Sequence, residues 1–461
     1  MSGNAIHVTP DLLVRFDKPG PRYTSYPTAP EWKEKFGEPE YRLALADAAR
    51  RPDEPLSVYV HIPFCHERCI YCGCNVVVTE KEGVADQYLS YVERELEMAA
   101  RALGKRRDVA QLHWGGGTPT YLDVPQIRRL FGAITRRFRL SADAEIALEV
   151  DPRVTSREQL LALRELGFNR VSMGVQDLDL AVQRAITRYQ TEAETTGVYE
   201  WAREAGFRGI NFDLVYGLPF QNLESWQQTV ESVIRLRPDR LAVYSYAHVP
   251  WIRPHQKWIP QESLPLGRDK FELFAAAREK LLAAGYLAIG MDHFALPEDE
   301  LSHAVAERRV HRNFMGYTVV PASEMIGFGT SSIGEIGGCY AQNHVKLSRY
   351  YESIDQGQLP TARGFSLSQD DLIRRYLIRR LMCDFHLDTR QIEERFNIRY
   401  DEYFAAEEAA LREFYDTGFL ARDNGEIVVL PLGQAFIRNV AMVFDAYLKK
   451  PEGHRQFSRT V

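Results

Sequence analysis

Four cysteines, Cys65, Cys69, Cys72 and Cys74, crowd into one short stretch, while Cys339 and Cys383 stand alone. Thiols this close make a poor disulfide framework and a good set of soft metal ligands. Zinc usually draws on two separated C-x2-C pairs or on added histidines, and no second pair follows here. A [4Fe–4S] cube is held by thiolates. Three thiolates from one C-x3-C-x2-C loop would hold three irons and leave the fourth open to a ligand. Zinc or a purely structural metal is the alternative. Cys74, one residue beyond Cys72, is an awkward extra ligand for the same cube. Cys339 and Cys383 are expected to be buried as small hydrophobes.

Other residues could act beside that loop. Gly115-Gly116-Gly117-Thr118-Pro119 would let the backbone approach a ligand with its N–H and C=O groups free to bond it. A tight turn is the plainer reading. A second glycine-rich run, Gly327 to Gly334, lacks the third glycine of a dinucleotide fingerprint. Glu149, Gln176 and Asp213 each close a β-rich run, where a polar side chain would face the mouth of a barrel; for Asp213 a capping role is the alternative. Arg188 offers a forked donor that suits a carboxylate. Lys105-Arg106-Arg107 and Arg136-Arg137 read as solvated helix ends. No H-E-x-x-H spacing occurs among the twelve histidines, and His61 and His66 are expected to be structural.

These groups need a frame. β-rich runs at 56–62, 111–114, 145–150, 170–175, 209–215 and 240–244 alternate with helical patterns at 85–102, 124–137, 156–166, 193–205 and 222–236. That rhythm implies βαβ units on a parallel sheet. A helix over 270–284 and a further β-like run at 287–291 extend it, so a full or partial barrel is expected. The cysteine loop follows the first strand, and ligands gather at the carboxyl ends of parallel strands. The proline-bearing segment 1–50 reads as an arm with one helix near 41–50. The barrel is assigned to 51–365. Within it, 313–340 is rich in Gly and free of Lys and Arg, which suits a buried, irregular, site-lining segment; a packed loop is the alternative. From 366 to 461 the pattern becomes three helices, a hairpin turning at Asp423-Asn424-Gly425 and another helix. This winged-helix-like module has 14 Lys+Arg against 16 Asp+Glu, so it lacks the basic face that DNA binding needs.

The whole chain, 461 residues with net charge −6, argues against a general nucleic-acid binder. No run of 18 apolar residues would span a membrane, and Met1 to Asp17 lacks a secretory pattern. A cytoplasmic protein is expected.

C-x3-C-x2-C after the first strand resembles the radical S-adenosylmethionine (SAM) superfamily. Longer runs resemble its oxygen-independent coproporphyrinogen III oxidase family. These are Pro21-Arg-Tyr-Thr-Ser-Tyr-Pro27, Tyr59-Val-His-Ile-Pro-Phe-Cys65, Cys72-Gly-Cys74-Asn75, His113-Trp-Gly-Gly-Gly-Thr-Pro-Thr120 and Glu149-Val-Asp-Pro152. Val171-Ser-Met-Gly-Val-Gln-Asp177, Asn211-Phe-Asp-Leu-Val-Tyr-Gly-Leu-Pro219, Tyr244-Ser-Tyr-Ala-His248 and Cys339-Tyr-Ala-Gln342 continue the match along nearly the whole chain. The resemblance implies an α/β fold: a partial TIM-like (β/α)6 radical SAM barrel with an N-terminal arm and a small, mostly helical C-terminal domain. It implies a [4Fe–4S] cluster on Cys65, Cys69 and Cys72, and two molecules of SAM.

The implied reaction begins with reductive cleavage of SAM. The 5′-deoxyadenosyl radical removes a hydrogen atom from a substrate propionate, and loss of CO2 and one electron leaves a vinyl group. Two rounds turn coproporphyrinogen III into protoporphyrinogen IX. The resemblance assigns Tyr59, Tyr71, Gly116, Gly117, Thr118, Glu149, Gln176, Arg188, Asp213, Ala247 and Ile333 to SAM, the glycine loop meeting its amino group, and Cys74 and Tyr59 to catalysis. A monomer served by an electron donor such as flavodoxin or ferredoxin is expected, with no nucleic acid or membrane partner. Arg22 and Arg312 are candidates for the substrate carboxylates; a structural role is the alternative. Related haem chaperones share the loop but have C-x2-C-x-Phe where Cys74 stands, which favours the oxidase. A redox-sensing regulator is a more distant reading.

Overall fold

The six β-rich runs become the strands Leu56–Ile62, Asp108–Gly116, Arg139–Val150, Arg170–Gln176, Gly209–Tyr216 and Arg240–Ser245, paired in parallel in that order. The computed structural model describes residues 8–320, 324–449 and 457–460. The outer ends of the arm and of the C-terminal module, and 321–323 of the glycine-rich stretch, lie outside the described residues. Near-continuous apolar runs such as Leu56–Ile62 suit strands covered on both faces. The intervening helices are amphipathic. After the fifth strand, the Asn222 side chain accepts from the Ser225 N–H and starts Leu223–Leu236, which turns Trp226, Val230 and Val233 onto the sheet.

The sheet has twelve strands and differs from expectation at both ends. Glu324–Phe328 lies parallel to the first strand, and Ile333–Ile336, Cys339–Asn343 and Thr361–Ser366 continue from it antiparallel. The glycine-rich stretch is therefore largely regular sheet rather than irregular loop. Glycine there permits close layering: a Cβ on Gly327 would lie 2.5 Å from the Ile333 carbonyl oxygen. At the other edge, the run at 287–291 is not a further parallel strand. Gly290, at φ +55°, turns the chain, so Leu287–Ile289 pairs antiparallel with His293–Ala295, which pairs antiparallel with the sixth strand. The parallel part is an open barrel flanked by antiparallel strands.

Among its described residues the arm carries two α-helices, Pro10–Phe16 and Glu38–Ala48, where one was expected. It is divided between two cores. Tyr41, Ala44, Leu45 and Ala48 join the barrel core. Leu13, Phe16, Tyr23 and Tyr26 pack instead among Leu377, Leu411, Phe419 and Phe436 of the C-terminal module. That module has helices Gln369–Asp384, Thr389–Phe396, Ala405–Asp416 and Ile437–Val443 around a small three-stranded sheet. Its hairpin turns at Asn424 and Gly425, both with positive φ as a tight hairpin requires.

Two cationic runs depart from the solvated reading. Arg106 is fully buried: it donates to the Glu54 and Ala48 carbonyls and pairs with Glu324 at the foot of the barrel. Arg137 is largely covered and pairs with Glu97 at 2.9 Å. Cys339 and Cys383 are buried, as expected. Among the described residues no helix is long and apolar enough to cross a membrane.

Candidate active site

A cavity of about 690 Å³ opens at the carboxyl ends of the parallel strands. All four clustered cysteines face it from the loop after the first strand. Cys65 Sγ lies 3.5 Å from Thr118 Oγ1, and Arg153 and Arg188 place guanidinium nitrogens 3.7 and 3.8 Å from Cys69 Sγ. The Cys74 N–H points at Cys72 Sγ, 3.4 Å away. The proton is split unequally between those two thiols. Hydrogen bonding from Cys74 draws Cys72 down to about 7, while the same contact pushes Cys74 up.

The second strand ends at Gly116, and here the glycine loop corrects the expectation that its N–H groups are free. Gly116 N donates to Glu149 Oε2 at 3.1 Å, Gly117 N to the Ile62 carbonyl and Thr118 N to the Phe64 carbonyl. Gly116 has φ +118°, and a Cβ there would sit 2.6 Å from the His61 ring. The fold itself demands that glycine before any ligand does. With its N–H groups spent, the loop's backbone has carbonyl acceptors to offer, which suits a cationic amino group. His61 is buried and structural as expected: its Nε2 lies 2.9 Å from the Asn75 carbonyl oxygen at the end of the cysteine loop.

Strands three to five supply the opposite wall. Burial pushes Glu149 up, but the His113 hydrogen bond and the Gly116 N–H hold it below its ordinary value. Asp151, two residues on, is likewise kept ionised against burial by Arg188 and Arg153. Gln176 ends the fourth strand at φ +65°, a left-handed conformation that costs a non-glycine residue about 1–2 kcal/mol. Gly174 clears space for it and for Arg188: a Cβ would meet Gln176 Nε2 at 2.6 Å. Asp213 accepts from Ser172 and Asn211, yet burial lifts it to about 6.

The cavity thus brings together Tyr71, Gly116, Gly117, Thr118, Glu149, Gln176, Arg188, Asp213 and the cysteines. Tyr59, Ala247 and Ile333 are not among its lining residues. Tyr59 stands behind the wall, its ring stacked on His113 and its hydroxyl 3.1 Å from His61 Nδ1. Arg22 and Arg312 also lie elsewhere, donating to the Ser245 carbonyl and to the Arg22 and Tyr23 carbonyls. Asp151 and Arg153 were missed by the sequence reading, although the run Glu149-Val-Asp-Pro152-Arg153 directly follows a strand.

The donor set fits an iron–sulfur cluster. Its soft thiols stand around one cavity, and N–H donors reach the Cys69 and Cys72 sulfurs, the contacts that tune such clusters. Among the described residues no three His, Cys, Asp or Glu side chains converge as a single-ion site.

Residues 59–233 match the Radical SAM superfamily and residues 367–436 the HemN C-terminal domain. Proteins described as oxygen-independent coproporphyrinogen III oxidase are 45% identical in Escherichia coli, over 98% of each chain, and 42% identical in Synechocystis, over 99% of this chain and 98% of that one. The solved structure of coproporphyrinogen III oxidase (HemN) from Escherichia coli, described as a radical SAM enzyme, superposes with a TM-score of 0.89 at 45% identity, over 92% of this chain and 97% of that one. Its cysteine loop, its open parallel barrel and these matches over nearly its full length make this chain a member of the oxygen-independent coproporphyrinogen III oxidase family of radical SAM enzymes.

Proposed function

We propose that the protein converts two propionate side chains of coproporphyrinogen III to vinyl groups, giving protoporphyrinogen IX without oxygen. The observation that carries this reading is the three-thiol loop facing, across one cavity, the polar strand ends Glu149, Gln176 and Asp213. Cys65, Cys69 and Cys72 would hold the [4Fe–4S] cluster. When bound, cluster and SAM supply reductive cleavage of a C–S bond to give a carbon radical that removes hydrogen from the propionate.

The chain's own residues do the positioning. The glycine-loop carbonyls accept from the SAM amino group. Arg188, fixed by Asp151 at 2.9 Å, keeps a fixed positive charge beside Cys69 and the methionyl carboxylate. Glu149 and Asp213 accept from ribose hydroxyls, and the strained Gln176 presents its amide to the same ligand. Tyr71 packs at the edge of the site. Tyr59, Ala247 and Ile333, which the family resemblance also gives to SAM, stand outside the cavity lining and would act from behind the residues that touch it. Cys74 faces the cavity and would serve the substrate side, while Tyr59, assigned to catalysis with it, would act from behind the wall through His61 and His113. A second SAM molecule, a flavodoxin or ferredoxin donor, a monomeric state and a cytoplasmic setting belong to the same proposal, as does the division into arm, barrel at 51–365 and accessory domain at 366–461.

The test is anaerobic reconstitution followed by SAM, a chemical reductant and coproporphyrinogen III. Loss of two CO2 units by mass is the expected result. Stoichiometric haem binding with no SAM cleavage would replace the enzyme by a carrier.

A further inference from the structure

The third strand, Arg139–Val150, runs out into Asp151-Pro152-Arg153. Pro152 lacks an N–H and cannot extend the ladder, so the chain turns. The Val154 and Thr155 N–H groups both donate to the Asp151 carbonyl, and the Arg153 N–H donates to Asp151 Oδ1 at 3.1 Å. A turn of this kind pins the Asp151 carboxylate against its own backbone.

That carboxylate holds two guanidiniums. Arg153 donates from Nε to Oδ1 at 3.0 Å and from Nη2 to Oδ2 at 2.7 Å. Arg188 grips the same group with Nη1 at 2.9 Å and Nη2 at 3.1 Å. From these anchors both arginines reach one sulfur: Arg153 Nη2 lies 3.7 Å and Arg188 Nη1 3.8 Å from Cys69 Sγ. Two cations and one anion leave a positive charge against a buried thiol. The neighbouring thiols meet neutral donors instead, the Thr118 hydroxyl at Cys65 and the Cys74 N–H at Cys72. The two arginines also differ. Arg188 keeps a buried Nε with no partner. Arg153 spends Nε and Nη2 on Asp151 and Cys69, and its Nη1 faces Glu67 at 3.7 Å. Little of its fork is left for a ligand carboxylate; what it supplies is charge at Cys69.

We propose that Arg153, held by Asp151, is a positioning residue that raises the reduction potential of the cluster through Cys69. The proposal rests on the reading of Cys65, Cys69 and Cys72 as cluster ligands. One-electron reduction adds a negative charge to a cluster. A cationic N–H donor at a ligand sulfur stabilises that added charge, and more strongly where water is excluded. Asp151 acts at one remove, by keeping the guanidinium from swinging into the cavity. In the step affected the cluster gains one electron from a reductant, dithionite in the test, and no bond changes.

The test is the midpoint potential of the anaerobically reconstituted protein without SAM, titrated with dithionite and followed by the electron paramagnetic resonance signal of the reduced cluster. Arg153→Gln should lower the reduced-to-oxidised ratio at a fixed poise about tenfold, a fall of about 59 mV for one electron. Arg153→Lys, which keeps the charge, should recover most of that shift. The Glu67 side chain is 72% exposed, so Glu67→Gln spares the fold. By removing the charge that opposes Arg153, it should move the ratio the other way, about twofold. Iron content and SAM affinity should match the parent in all three variants. Equal potentials in parent and Arg153→Gln at equal iron would overturn the proposal. Lost SAM affinity with an unmoved potential would also overturn it and make Arg153 a ligand contact. Should Arg153→Gln fail to take up iron, Glu67→Gln decides: a raised ratio supports the proposal, and an unchanged or lowered one overturns it. A parent protein that takes up no iron would bring down the cluster reading and this proposal with it. A shifted potential with coproporphyrinogen III left unconverted would leave the role of Arg153 standing and bring down the proposed reaction alone.

Discussion

Arg188 at the mouth of the barrel and Arg106 at its foot are both buried guanidiniums paired with a carboxylate. Arg106 spends all its nitrogens on protein: the Glu54 and Ala48 carbonyls, the Glu54 carboxylate and Glu324. It ties the helix Glu38–Ala48 to the first residue of a parallel strand. Arg188 forks onto Asp151 and bonds the Gly174 carbonyl and Gln190, but its Nε is buried with no partner, and it borders the cavity near Cys69. Buried charge alone does not mark a site. Unspent capacity beside open space does, and the cysteines divide the same way. Cys339 is sealed in the core with its Sγ donating to the Ile336 carbonyl, while Cys74 faces the cavity.

The largest effect is expected at the mouth. Cys65→Ser, Cys69→Ser or Cys72→Ser should abolish the visible absorption of the reconstituted cluster, measured with iron content. Full iron in any one of them would remove that thiol from the ligand set. Next comes Cys74→Ser, expected to keep iron and lose most vinyl product, set against Cys339→Ala, expected to keep both. Loss of iron from Cys74→Ser would make it a cluster support, and unchanged product would make it a packing residue.

The two arginines sharpen the contrast with opposite readouts. Arg106→Met removes the buried donor to the Glu54 and Ala48 carbonyls and leaves Glu324 with Arg51 as its remaining arginine; it should cost about 1–3 kcal/mol by chemical denaturation, with SAM affinity of the folded protein unaltered. Arg188→Lys keeps the charge, so an ammonium can still meet Asp151, but loses the fork; it should weaken SAM binding roughly tenfold with a smaller loss of stability than Arg106→Met. If each variant moved both quantities equally, the distinction between mouth and foot would fail.

The smallest effect is a pH dependence at Asp213. Its folded pKa of about 6 lies above the ordinary 3.8, so the group favours folding when protonated. That contribution is complete at low pH and is lost as pH rises through about 6. Asp213→Asn should therefore raise thermal stability above about pH 6 relative to the parent, and the difference should shrink below pH 4. A pH-independent difference would show that Asp213 does not titrate in this range.

The parallel half of the fold was legible because each βαβ unit is local: its apolar runs and capping residues lie within a few tens of residues. The antiparallel extensions were not. Ile333–Ile336 and Cys339–Asn343 are four and five residues long, too short to show a clear periodicity, and their place is fixed through Glu324–Phe328 by the distant strand Leu56–Ile62. Arg106 read as solvated because its partner Glu324 is 218 positions away. At the site, the thiol spacing and strand-end positions were visible. The role of Gly116 was only half visible, since its need for glycine comes from the His61 ring and not from a ligand. Asp151 stood in a motif that was noticed, but its value depends on Arg188 and Arg153 reaching it from different segments.

The arm has a consequence for how the chain is made. Phe16 and Tyr23 belong to a core most of whose other members lie between Ile373 and Phe444. The Lys18 N–H bonds Thr460 Oγ1 across 442 positions, and the Gly20 N–H bonds the Ser458 carbonyl. Domains usually fold as they emerge, N-terminal first. Here residues 10–26 must stay unpaired while the barrel forms behind them, because most of their partners, at 373–444, follow the barrel in the chain. The growing chain therefore holds a barrel with an unfastened arm, and closure of the molecule waits for the segment beyond the barrel.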